Sequence, residues 1–311
     1  SKKLEPNREG GSCLHIQEVK DPVEEAEYVL EEIQKCKENG IKEEEIAILF
    51  RVHTDARAVV EAMVERKIPF QMKEHLPNIY EHFIAKDIMA YFRLATGKRR
   101  RQDFLQVMNR PKRYLGRDSV SGSQVSFEDM RKFYCDKDWM IDRIDHVKML
   151  MKMAPYAAIQ YIRKRIGYDD FLKEYAFTHQ INRSDLNEVL AEIEEAAKAF
   201  SSVEEWFAHV EEYTETLKAK EKERNRPRPG VRLMTIHASK GLEFKQVFLI
   251  AANEGRIPYQ KAKTDKEIEE ERRLFYVAMT RAKDFLKICY VKIKNGKEVT
   301  PSRFVDELLK S

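Results

Sequence analysis

The chain has 311 residues, 42 % of them hydrophobic and 35 % charged, with 57 Lys and Arg against 53 Asp and Glu for a formal net charge of +4. That apolar content can build a core, which excludes wholesale disorder, and no apolar run reaches the ~18–20 residues that span a bilayer, so no membrane role is expected. Four dispersed cysteines, at 13, 36, 135 and 289, exclude a zinc site by spacing and suit a reducing, cytoplasmic setting. The polar opening Ser1-Lys2-Lys3 offers no apolar signal region. The excess of base is too small to identify a nucleic-acid binder by itself.

In chain order, Leu14-His15-Ile16 is a short extended segment, and Asp21-Pro22 opens an acid-rich helix to about Lys37. Asn39-Gly40 ends it. The run Ile46-Ala47-Ile48-Leu49-Phe50 reads as a strand covered on both faces, as in parallel sheets. Thr54 or Asp55 is placed to cap a helix with the stripe Ala56, Val59, Val60, Met63 and Val64, and Ile68–Gln71 follows as another strand. Strand, helix, strand at this pitch predicts a doubly wound α/β unit. Between 97 and 229 helical stripes replace β-branched runs, for example Leu186, Val189, Leu190, Ile193 and Ala197, so this stretch is expected to be a separate helical domain. Two basic segments border it, Lys98–Arg101 and the Pro- and Gly-containing Arg224–Gly230. The α/β pattern then returns with strands at Val231–Thr235, Val247–Ala251 and Phe285–Tyr290 and a helix over 267–282. The two α/β pieces, 1–96 and 230–311, are expected to form one sheet interrupted by the insertion.

The chemistry-bearing segments lie in the second piece. Thr235-Ile236-His237-Ala238-Ser239-Lys240-Gly241-Leu242-Glu243 follows a strand, where an α/β sheet presents ligand groups. Lys240 offers a point charge to phosphate, Gly241 allows close backbone approach and His237 can donate a hydrogen bond. The segment Glu269–Lys283 has an acidic start and a basic end, and Arg281 stands at its carboxyl end. A basic run at 98–113 holds seven Lys and Arg against Asp103, interleaved with Phe104 and followed by Tyr114. Residues 188–215 hold nine acids against Lys198, a face that repels DNA and is free for a protein partner or solvent. Trp139 and Trp206 read as core anchors.

The string 234–244 resembles motif V, and 270–283 motif VI, of the UvrD/PcrA/Rep branch of superfamily 1 helicases. Ile46–Phe70, Ala85–Leu94, Met108–Gly116 and Pro301–Phe304 are similar, in family order, to further signatures of that branch. The resemblance implies a second RecA-like domain (2A) at 1–96 and 230–311, carrying an inserted all-helical domain (2B) at 97–229. It also implies 3′–5′ movement on single-stranded DNA and unwinding at a single-strand/duplex junction, with ATP and Mg²⁺ as cofactors. By match to motif VI, Arg281 is the arginine finger for the γ-phosphate, where a planar cation accelerates phosphoryl transfer ~10³–10⁵-fold. By match to motif V, Glu243 and Gly241 face the nucleotide, and Thr235, His237 and Lys240 the DNA strand. Arg51 and His53 fall at family DNA contacts, His53 in place of the usual asparagine. Arg113 and Gly116 belong to the signature that opens the helical domain, with Tyr114-Leu115-Gly116 replacing Gly-Ile-Gly.

No Gly-x-x-x-x-Gly-Lys-Ser/Thr occurs in the chain, nor an apolar strand ending in Asp-Glu. The expectation is a carboxyl-terminal motor half that completes, with an N-terminal RecA-like half, a site it cannot form alone. The competing expectation is a non-catalytic nucleic-acid or protein-docking scaffold. Residue by residue, Arg281 can instead cap helix carbonyls, Glu243 can be a surface carboxylate, and Arg51 can pair with the acidic helix 21–37.

Overall fold

The computed structural model describes residues 13–120, 122–134, 146–223 and 229–310. Trp139, Cys135 and most of the 224–230 linker lie outside the described residues. The chain forms two compact units, Ser1–Pro77 with Glu215–Ser311, and Asn78–Thr214.

The first unit is a six-stranded sheet in the order β1-β6-β5-β2-β4-β3, every pair parallel. Its strands are β1 (Cys13–Val19), β2 (Ile46–Phe50), β3 (Phe70–Met72), β4 (Val231–Thr235), β5 (Phe244–Leu249) and β6 (Ala282–Val291). Both α/β pieces therefore contribute to one sheet, as the strand pattern predicts. All five residues of β2 are buried, because the sheet is covered on both faces. Ala47 and Leu49 pack with Phe275, Ala278 and Phe304 of helices α10 (Asp265–Met279) and α11 (Arg303–Lys310). Alternation sends Ile46, Ile48 and Phe50 to the opposite face. Helix α1 (Pro22–Glu38) covers that side, its Cys36 meeting Gln246 and its Glu32 meeting Lys287, and packs on α2 (Arg57–Glu65). Asp21 caps α1 by accepting from Val23 and Glu24 N–H at 3.0 Å. The expected cap on α2 is absent: Asp55 is buried in a short 3₁₀ turn, and its carboxylate instead takes Lys294 at 2.7 Å and Arg256 at 3.4 Å. Beyond β6 a short hairpin, β7 (Ile293–Lys294) and β8 (Lys297–Glu298), leads towards α11.

The second unit is helical: α3 (Phe83–Ala95), α4 (Arg101–Val107), α5 (Phe127–Phe133), α6 (Pro155–Tyr161), α7 (Tyr168–Thr178), α8 (Arg183–Ala197) and the first part of α9 (Val203–Glu223). Its limits differ from the expected 97–229. Helix α3 joins it because Ile84, Ile88, Tyr91 and Phe92 are buried in packing with α4 and α8, and residues 215–223 of α9 join the sheet unit, where Lys220 Nζ donates to Phe70 O at 2.8 Å. Within the stretch expected to be helical, α6 and α7 are separated by a wide turn at Ile162–Ile166 and by Gly167 at φ +94°, a left-handed conformation that glycine adopts without strain. Trp206 is fully buried, edge-on to Phe92 and Tyr80.

A buried polar network fixes this unit. Asp87 of α3, with no exposed surface, accepts from Arg110, from Gln106 at 2.9 Å and from Tyr168 Oη at 2.7 Å. Arg113 is 3 % exposed and donates to Val107 O, Met108 O and Tyr91 Oη. Its Nη1 and Nη2 bonds hold the turn after α4 together, while its Nε is buried without a hydrogen-bond partner among the described residues.

Candidate functional site

The candidate residues of the sheet unit gather at two edges of the sheet. At the carboxyl ends of the strands, Phe50 of β2 lies in register with Thr235 of β4, so Arg51 and the turn after Thr235 emerge side by side. At the amino ends, Phe244 of β5 is in register with Ala282 of β6, and Phe244 N–H donates to Arg281 O at 2.9 Å, so Glu243 and Arg281 are neighbours. Residues 236–243 connect these edges, passing β2 because it lies between β4 and β5.

The first half of that connection is a tight turn. Thr235 is buried and its Oγ1 accepts from Ala238 N–H at 3.2 Å, while Ser239, fully buried, donates from Oγ to Ile236 O at 2.7 Å. Thr235 therefore shapes the turn and is closed to a ligand, against the DNA role given it by resemblance. His237 and Lys240 point outward and are exposed, and Lys240 has no ion-pair partner among the described residues. Gly241 takes φ +81° with nothing near the position of a Cβ, an open approach for a ligand. Partial desolvation on the protein-facing side of the ring pushes the His237 pKa below its usual value, with the Arg51 cation adding to the effect and Glu271 and Glu74 opposing it, so the neutral imidazole is favoured.

Arg51 is not a free cation, nor does it pair with the acidic helix. Its Nε and Nη2 grip the carboxylate of Glu271 on α10 at 3.0 and 2.7 Å, and its guanidinium lies 5.1 Å from the Tyr259 ring. Glu271 also accepts from Tyr259 N–H at 3.0 Å. His53 sits in the 3₁₀ turn beyond β2, with Nδ1 buried and without a hydrogen-bond partner among the described residues.

At the other edge Arg281 folds back on its own helix. Its Nε donates to Val277 O at 2.9 Å, Nη1 to Leu242 O at 3.0 Å and Nη2 to Thr280 Oγ1 at 2.9 Å. The side chain caps α10 and at the same time ties the far end of the 236–243 connection. Glu243 is exposed and faces Lys283 at 3.7 Å.

In the helical unit, Arg113 is spent on the interior and is unavailable as a DNA contact, which corrects its expected role. Gly116 is exposed, its N–H held by Tyr134 Oη at 2.8 Å. The preceding Tyr114 adopts φ +57°, the left-handed backbone that a glycine favours, with its ring exposed and Lys112 Nζ 4.9 Å from its centre. The acidic stretch 188–215 is less open than its composition suggests. Glu192 and Glu194 are buried, Glu194 pairing with Arg163, and Glu195 pairs with Lys198, while Glu204, Glu211, Glu212 and Glu215 are exposed.

Sequence reasoning missed Glu271, Lys73 and Glu74. Glu271 reads as one of three acids at a helix start, and nothing in that run singles it out as the partner of Arg51. Lys73 Nζ donates to Ala238 O at 2.6 Å and Glu74 accepts from Thr235 N–H at 2.9 Å, contacts made across 165 and 161 residues of sequence. Among the described residues no group of three His, Cys, Asp or Glu is arranged to hold a metal ion.

Comparison with known proteins gives one consistent answer. Residues 1–293 match the UvrD-like helicase C-terminal domain. The chain is 30 % identical over 308 residues to a putative ATP-dependent DNA helicase, YjcD, of Bacillus subtilis, covering 93 % of this chain and 39 % of that protein. It is 27 % identical to DNA helicase II of Haemophilus influenzae over 99 % of this chain and 46 % of the relative, and 26 % identical to the ATP-dependent DNA helicase PcrA of Staphylococcus aureus over 97 % and 44 %. The chain thus spans less than half the length of these relatives, and by the extent of the domain match it belongs to the UvrD-like helicase C-terminal domain family.

Proposed function

We propose that this chain is the second motor portion of an ATP-dependent 3′–5′ DNA helicase or translocase. Its strand-facing surface is the carboxyl edge of the sheet, with Lys240 and His237 outermost and Arg51 behind them. Its nucleotide-facing surface is the amino edge, with Arg281 and Glu243. The observation that carries this reading is the single connection 236–243, which begins at one edge and ends at the other.

The residues present fit a shared nucleotide site. Glu243 is an exposed carboxylate that can accept from ribose hydroxyls, and the Arg281 fork can leave two carbonyls and a hydroxyl to meet developing phosphate charge. ATP, held with Mg²⁺ mainly by a complementary N-terminal RecA-like half, supplies the phosphoryl chemistry. The chain has no phosphate-cradling loop, so by itself it is expected not to hydrolyse ATP. The inserted helical unit would meet duplex at the junction through the Tyr114–Gly116 turn, and the exposed acids of α9 remain open to a protein partner.

The test is DNA-stimulated ATP turnover by the complete polypeptide carrying this chain. Arg281→Ala should lower kcat ~10³-fold or more with DNA affinity kept. Lys240→Ala should weaken single-strand binding and flatten its salt dependence with basal turnover kept. Unchanged turnover in Arg281→Ala, or a complete polypeptide without activity, would replace this reading with a helicase-shaped scaffold.

A further inference from the structure

We propose that Lys73 and Glu74, the two residues after β3, are positioning residues for the strand-facing turn, an assignment that rests on the reading of Lys240 and His237 given above. The parallel ladder between β3 and β4 runs as backbone through Met72 opposite Leu233, and Lys73 N–H extends it by donating to Leu233 O at 3.1 Å. There the backbone ladder stops and side chains replace it. The Glu74 carboxylate takes the N–H of Thr235, and the Lys73 ammonium takes the carbonyl of Ala238. One donor and one acceptor from adjacent residues thus hold both ends of the bend from outside, while Thr235 Oγ1 and Ser239 Oγ hold it from within.

The sign of the charge gives this pair its meaning. A carboxylate beside a turn that meets a phosphate backbone repels its ligand, so Glu74 opposes binding by simple Coulomb terms. Its contribution through geometry has the opposite sign: without an acceptor, the buried Thr235 N–H is unsatisfied and the turn loses the anchor that aims Lys240 outward. The two effects predict opposite outcomes for removal of the side chain.

The experiment measures affinity of the complete polypeptide for a fluorescein-labelled oligo-dT strand, together with kcat at saturating DNA. Glu74→Ala should weaken affinity about 5- to 10-fold although it removes a negative charge, with kcat held within about 2-fold. Glu74→Gln keeps an acceptor for Thr235 and should stay within about 2-fold of the native affinity. Affinity equal to or tighter than native in Glu74→Ala, or loss in Gln equal to that in Ala, overturns the proposal. Should Glu74→Ala not fold, Glu74→Met fills the same space without an acceptor and carries the same expectation. If neither folds, Glu74 serves stability alone and the proposal fails. Lys240→Ala separates the two levels. If Lys240→Ala leaves affinity unchanged, the strand-facing surface itself is misplaced. If it weakens binding while Glu74→Ala does not, only the positioning role is lost.

Discussion

Arg51 and Glu271 are 220 residues apart in sequence and share a bidentate ion pair, which joins the end of the central strand β2 to helix α10. Their side chains are 18 % and 11 % exposed, so the pair is largely shielded from water. Its two positions fall in two different family-like motifs, and the ion pair makes one structural unit of them.

Removing one partner of such a pair leaves the other buried and uncompensated. Glu271→Ala should cost about 3 kcal/mol of unfolding free energy, and Glu271→Gln less because an oxygen still accepts from Arg51. Urea denaturation of each variant measures this. A loss below about 1 kcal/mol would put the pair with ordinary surface ion pairs.

Asp87 has three side-chain partners and no exposure. Asp87→Ala should destabilise by about 3–5 kcal/mol, leaving Arg110 and Tyr168 unsatisfied together. Thermal unfolding followed by circular dichroism would show it, and a shift of only a degree or two would mean the network is not cooperative.

Gly230 and Gly241 both have positive φ, but only one is crowded. A Cβ at Gly230 would lie 2.9 Å from the Pro69 carbonyl carbon, whereas at Gly241 nothing lies within 4 Å. Gly241→Ala should cost about 1–2 kcal/mol from backbone conformation alone, and Gly230→Ala more, since β3 must also shift. Equal melting temperatures for the two variants would contradict this ordering.

Glu25 of α1 is fully buried and accepts from Ala251 N–H at 2.9 Å. Burial pushes its pKa up from 4.5 to about 8, with the Ala251 hydrogen bond pulling the other way. The folded state therefore holds a proton that the unfolded chain releases near 4.5, and this group's contribution to stability is fully present below that pH. It declines as pH rises and levels off above about 8. Glu25→Gln cannot titrate, so the stability difference between it and the native protein should shift in favour of Gln between pH 5 and pH 8.5. Parallel urea midpoints at the two pH values would sink the idea.

The sheet was legible because its signals are local. Five consecutive apolar residues at 46–50 read as a doubly covered strand, and Asp21-Pro22 states a helix start within two positions. The roles of the arginines were not legible. Arg99, Arg101, Arg110 and Arg113 fall in a basic run that reads as a phosphate-binding face, yet Arg113 turns to backbone carbonyls, Arg110 to Asp87, Arg101 to Val120 O and Arg99 onto the Phe127 ring. A guanidinium is equally suited to phosphate, carboxylate and carbonyl. Which one it meets depends on tertiary neighbours that spacing does not encode. Helix α3 joined the helical unit for the same reason, since its apolar stripe fits either unit and only packing chooses between them.

The strand order also bears on how the chain acquires its structure. None of β1, β2 and β3 pairs with another of the three: β1 waits for β6, β2 for β4 and β5, and β3 for β4. As the polypeptide leaves a ribosome, every one of these early strands stays unpartnered until residue 231 and beyond have been made. The wholly apolar run Ile46–Phe50 has neither of its strand partners during that interval. Meanwhile the helical unit at 78–214 can close on local contacts and be complete first. Newly made chains should therefore pass through a stage in which an ordered helical unit is joined to strands still without partners, the form in which a chaperone would meet them.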